Sequence, residues 1–210
     1  MANKDNIMKS EVAKALFNSH TYPEFRKLIS DLLLEGKSTG KEQSESHLQY
    51  STLNETRMSR LDKTLKITDE NSQKLKALKK GYIWLVVAEG WCPDGAQLLP
   101  VFNKMANETD KIDLKIVLRD ENEDLMKLVQ TNGASAIPKL IIFDKETGEV
   151  FGNWGSRPKG AVDFMKYYEE KNGRIDETAK ADLQMWYLHD KGISTQDELV
   201  NLVLDAEKIA

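Results

Sequence analysis

The chain holds a single cysteine, Cys92, in 210 residues, so no disulfide can form within it and no disulfide framework holds it together. Histidine is equally sparse. His20, His47 and His189 are scattered, and no His/Cys/Asp spacing matches a metal site, so neither a metal nor a bound cofactor is expected. Basic residues are not in excess: Lys and Arg number 30 against 34 Asp and Glu, a formal charge of -4, which excludes the electrostatic footprint of a nucleic-acid binder. No apolar run approaches the length of about 18 residues that spans a bilayer, so no membrane partner is expected. The first ten residues also lack the apolar segment of a signal peptide. No Gly-rich phosphate loop, Ser/His/Asp pattern or paired-carboxylate motif stands out. These absences predict a cytoplasmic chain, long enough for one domain with extensions or for two small domains.

What is present is helical at both ends and alternating in the middle. Phe25, Leu28, Ile29, Leu32 and Leu33 recur at helical spacing between Pro23 and Gly36, which predicts an amphipathic helix. The stretch 36–46 is polar and contains Gly and Ser, so it reads as an exposed, mobile connection. Tyr50 to Leu65 and Asp69 to Lys79 suggest two further helices. From Tyr82 the pattern changes. Strands are predicted at Tyr82 to Ala88, Leu114 to Leu118, Lys139 to Asp144 and Glu149 to Trp154, with helices at Gly95 to Asn107, kinked at Pro100, and at Asn122 to Gln130. A βαβ unit followed by an antiparallel hairpin implies a mixed central sheet flanked by helices, an α/β fold. The tail predicts helices at Ala161 to Lys171, Asp176 to Asp190 and Leu199 to Ile209, the last capped by Ser194.

The chemistry concentrates in Trp91-Cys92-Pro93-Asp94-Gly95, at the end of the apolar run from Tyr82. A helix beginning there offers unpaired N–H groups and a partial positive charge, which favour a thiolate. Asp94 is a like charge that opposes it, and Pro93 supplies no N–H donor, so modest activation at best is expected. The bland reading is a small buried hydrophobe.

Three features together resemble the thioredoxin family: Trp91-Cys92 at a strand-to-helix turn, the βαβ-then-ββα order, and Ala136-Ile137-Pro138 just before a strand. The similarity covers residues 80–170, with helical extensions at 1–79 and 171–210. It looks closest to a bacterial branch whose motif reads Trp-Cys-Pro-Asp-Cys, with Gly95 in place of the second cysteine. The resemblance implies that Cys92 is the nucleophilic thiol, that Pro138 is the cis-proline facing it, and that Ile137 and Trp91 contact an extended substrate segment. Pro93, Asp94 and Arg157 complete the implied substrate site. Val86 stands where the family usually carries a buried acid.

Two functions follow from the resemblance. One is a monothiol thiol-disulfide oxidoreductase in which Cys92 attacks mixed disulfides of protein thiols, with glutathione or another low-molecular-weight thiol resolving the product. The alternative is a redox-inactive thioredoxin-fold module that binds a peptide or protein.

Overall fold

The computed structural model describes residues 2–209. Four strands form one sheet in the order β2-β1-β3-β4, with β1 at Tyr82–Ala88, β2 at Ile112–Leu118, β3 at Lys139–Asp144 and β4 at Val150–Gly155. β1 runs parallel to β2, in register from Tyr82 with Ile112 to Ala88 with Leu118, and antiparallel to β3, with Val86 opposite Leu140. β3 and β4 are antiparallel. The mixed α/β fold with helical ends expected from the sequence is the fold observed.

A central strand covered on both faces must be apolar throughout, and the run Tyr-Ile-Trp-Leu-Val-Val-Ala meets that demand. Alternation along it divides the interior in two. Tyr82, Trp84, Val86 and Ala88 enter the larger core, while Leu85 and Val87 enter a smaller one on the opposite face.

The larger core is assembled from both ends of the chain. α2 (Tyr22–Leu34) contributes Phe25 and Ile29, α3 (Glu45–Thr64) Met58, and α5 (Pro93–Ala106) Leu98 and Phe102. α8 (Glu177–Asp190) adds Leu183 and Tyr187, and α9 (Ile193–Ile209) adds Leu199 and Val203. α4 (Asp69–Lys76) and α7 (Lys159–Asn172) pack around this face with Leu75 and Met165. α2 starts with a capping box in which Thr21 and Glu24 satisfy one another's backbone N–H groups, with proline in its first turn. α5 continues through Pro100.

The smaller core is completed by a helix at the start of the chain. α1 (Ala2–Phe17) lays Val12 and Ala15 against Leu85, Val87 and the short α6 (Glu123–Leu128), which contributes Leu125 and Met126. Met8, Val12, Ala15 and Leu16 stand at i, i+4, i+7 and i+8, a helical stripe that faces this core and begins only after a polar first turn. The link that follows fastens to β2 through His20, whose N–H donates to the Ile116 carbonyl at 2.7 Å and whose carbonyl accepts from Ile116 N at 2.8 Å.

Three other expectations need correction. The connection 36–46 is not simply exposed: Ser38 and Thr39 are buried, and Ser38 Oγ lies 2.6 Å from Ser51 Oγ. The last helix begins at Ile193 rather than Leu199, because Ser194 turns back onto the Asp190 carboxylate and helical geometry is already established. The helix after Cys92 starts at Pro93, two residues before Gly95. Among the described residues, no helix is long and apolar enough to cross a membrane.

Candidate functional site

β1 ends at Ala88, beyond which Glu89 and Gly90 lead into Trp91 and Cys92. Cys92 is the N-cap of α5, and its Sγ accepts from Gly95 N at 3.4 Å, the position a capping oxygen takes in most helices. On its other side the thiol donates to the Ile137 carbonyl at 3.3 Å. The Ile137–Pro138 peptide is cis. Gly155, closing β4, is at φ +117 with its Cα so near that a Cβ would stand 2.4 Å from the Pro138 carbonyl oxygen, so only glycine fits there.

Burial decides the state of the thiol. Cys92 is 4% exposed and belongs to the smaller core with Leu85, Val117 and Ile137. Desolvation, followed by the nearby Asp94 carboxylate, pushes its pKa up to about 12 against the N–H groups of Gly95 and Asp94, which act to lower it. The helix terminus therefore does not activate it. At neutral pH the residue is a thiol, and the modest activation expected from position alone is not what the surroundings produce.

The residues singled out from the sequence fall into two layers. Trp91, Pro93, Asp94 and Arg157 line a cleft of about 490 Å³, roofed by α3 and α8. Cys92, Ile137 and Pro138 lie buried rather than on that cleft's lining. Arg157 does not approach Cys92 as a free cation. It grips Asp94 Oδ2 through Nε at 2.9 Å and Nη2 at 2.8 Å, while Tyr187 Oη donates to Asp94 Oδ1 at 2.9 Å. Trp91 is stacked beneath His47, with ring centroids 4.4 Å apart and planes 5° from parallel, and the Arg119 guanidinium lies 4.8 Å from its ring.

Several site residues were not found from the sequence. Glu89 is 1% exposed and supplies a buried acid where Val86 had suggested none. Its Oε1 accepts from Asp120 N at 3.1 Å, Oε2 has no hydrogen-bond partner among the described residues, and burial raises its pKa. Its place just before Gly-Trp-Cys is the signal that could have marked it. The connection 36–46 closes over this acid. Thr39 Oγ1 accepts from Gly90 N at 2.8 Å, and Gly40, at φ +86, passes so near that a Cβ would meet Asp120 Oδ2 at 2.8 Å and Trp91 Nε1 at 3.3 Å. Asn54 of α3, fully buried, donates to the Gly90 carbonyl at 2.9 Å. These contacts join residues 31 to 80 apart in sequence, so none of them is a local pattern.

Among the described residues, no group of three or more His, Cys, Asp or Glu could hold a metal ion.

A sheet of this order, a cysteine capping the helix after β1 and a cis-proline opposite it define the thioredoxin class. The family model described as thioredoxin matches residues 40–174, and the chain belongs to that family. The match reaches back through α3. A crystal structure of a protein of unknown function from Pseudomonas aeruginosa is similar, with 17% identity, a TM-score of 0.56 and coverage of 89% of this chain and 99% of that one. An HIV epitope-scaffold is similar to the same extent, with 17% identity, a TM-score of 0.55 and the same coverage. At that identity the likeness is one of fold. No curated protein matches the sequence.

Proposed function

We propose that this chain is a redox-inactive thioredoxin-fold binding module whose ligand enters the cleft beside Trp91 and Pro93. The observation that carries this reading is the state of Cys92: a buried thiol with its pKa pushed up, and no second cysteine to release a mixed disulfide. A nucleophile needs a thiolate and access, and both are opposed here. We read Trp91-Cys92-Pro93-Asp94-Gly95 as a bacterial Trp-Cys-Pro-Asp-Cys site that has kept its scaffold and given up its resolving thiol. The segment 80–170 is then the thioredoxin unit, and the helical ends serve to reshape its working edge. A lone buried thiol fits a reducing, cytoplasmic setting.

The monothiol alternative, with glutathione as resolving thiol, draws support from the placement of Cys92 beside Ile137 and cis-Pro138. The two readings separate in one assay. Wild-type chain and Cys92→Ala are given a glutathionylated peptide and millimolar glutathione, and deglutathionylation is followed by mass spectrometry. Equal, background rates are expected; a rate that depends on Cys92 would establish the oxidoreductase instead.

A further inference from the structure

We infer that the cleft between α3 and α8 binds a monocarboxylate, its anionic end on Arg57 and its apolar body against Pro93 and the edge of Trp91, an inference that rests on the binding-module reading.

Four arginines are half-buried: Arg26, Arg57, Arg119 and Arg157. Three of them have carboxylate partners. Arg26 pairs with Glu55 and Asp62, Arg119 with Asp120, and Arg157 with Asp94. Among the described residues Arg57 has none, in a chain whose acidic groups outnumber its basic ones. Among the described residues its one hydrogen bond runs from Nη1 to Asn54 Oδ1 at 3.0 Å. Burial lowers its pKa, the neighbouring Arg60 acts in the same direction, and Tyr50 and Asp94 oppose them without making an ion pair with it. Asp94, whose charge reaches Arg57, already has both oxygens engaged by Arg157 and Tyr187.

The guanidinium is also held in place. Asn54 is fixed by its bond to the Gly90 carbonyl, so the amide that orients Arg57 is itself tied to the turn before Trp91. Most of the five N–H donors of Arg57 remain unspent on a residue that lines the cleft. A planar donor fork matches a carboxylate, and a fixed one loses less entropy on binding. The volume of about 490 Å³ lies within the range of small-ligand sites. Charge limits the choice further. Lys180 at the mouth is bound to Glu177 at 2.7 Å, so one positive charge is left over, and a dianionic phosphate would bring a second negative charge toward Asp94 and Glu177.

A carboxylate of this kind can come from a free small acid or from the C-terminus of a peptide. The full chain is titrated calorimetrically with N-acetylphenylalanine, with N-acetyl-Gly-Gly-phenylalanine, with the C-terminal amide of each, and with phenyl phosphate. At least one acid should bind about tenfold or more tightly than its amide, the discrimination a charge-assisted hydrogen bond supplies. Arg57→Gln should remove that preference, and Lys63→Gln, an exposed change farther along the same helix, should leave it. A tighter tripeptide acid identifies a chain end; a tighter N-acetylphenylalanine identifies a free acid. Should Arg57→Gln fail to fold, the Arg57 Nε–Hε resonance of the wild-type chain must shift with the acids and not with the amides. Acid and amide binding equally, no acid binding at about 10 mM, phenyl phosphate binding more tightly, or a preference unaffected at Arg57 would each overturn the assignment. Those results leave the binding-module reading standing, since that reading falls only on Cys92-dependent turnover.

Discussion

Replacing Gly95 with cysteine probes the site where the chain departs most plainly from a dithiol thioredoxin. A Cβ built on Gly95 lies 3.5 Å from Cys92 Cβ and 3.7 Å from Cys92 Sγ, with the Glu89 carbonyl oxygen at 3.8 Å. Disulfides have Cβ atoms roughly 3.5 to 4.5 Å apart, so Gly95→Cys places the second thiol at bonding separation with no displaced neighbour. Closing a loop of four residues restricts the unfolded chain by about 2 kcal/mol in the chain-entropy account. Exchanging glycine for cysteine in the first helical turn adds a few tenths of a kcal/mol from propensity, about 0.3. The variant is refolded with oxidised glutathione, then denatured and alkylated. Mass spectrometry should find neither thiol labelled, and urea unfolding should show the oxidised form about 2 kcal/mol more stable than the reduced one. Insulin reduction should remain at background, because the new bond lies as deep as Cys92. Two labelled thiols after oxidation, or an oxidised form less stable than the reduced, would refute the geometry argued for this turn.

Asn54→Ala removes a fully buried amide and strands the Gly90 carbonyl, so unfolding by denaturant should show a loss of about 2 kcal/mol. A loss under a few tenths would mean that α3 does not secure the turn. Glu89→Gln should stabilise the chain in a pH-dependent way. The unfolded glutamate titrates near its ordinary 4.5 and the folded one higher, so its favourable contribution is complete below 4.5 and is lost as pH rises through the folded value. The stability difference between Gln and wild type should thus grow upward from about pH 4.5 and then level off; a difference flat from acid to neutral pH would contradict the burial cost assigned to Glu89. A fragment spanning 80–170 strips Phe25, Ile29, Met58, Leu183 and Val203 from the core that also holds Trp84 and Phe102. It should lack cooperative thermal unfolding by circular dichroism, whereas a sharp transition would show that the helical ends are dispensable.

The sheet was legible because β1 carries seven apolar residues in a row and the hairpin between β3 and β4 has a short polar turn, both local signals. The thiol turn and Pro138 were legible from residue identity. What was not legible depends on contacts between distant segments. Thr39 and Gly40 read as an open polar connection until Gly90, Glu89 and Asp120 are seen to receive them. Arg57 reads as one more charge on a polar helix face, and only the cleft and the absence of a carboxylate partner among the described residues set it apart. The surroundings of Cys92 are hidden from the sequence for the same reason. A helix N-terminus is visible in sequence, but the burial that overrides it comes from Ile137, Leu85 and Val117, brought together by the sheet.

The central claim, that Cys92 is an inert thiol, is tested most directly by the rate at which iodoacetamide labels it in the native chain across pH. A pKa pushed up to about 12 from an ordinary 9.0 leaves about a thousandfold less thiolate at neutral pH, before any barrier to entry. Labelling in the native state should be slower than in urea by about that factor or more, and should still be rising at pH 10 with no plateau. An inflection at or below pH 7, with native labelling as fast as that of the unfolded chain, would contradict the account and return Cys92 to the role of nucleophile.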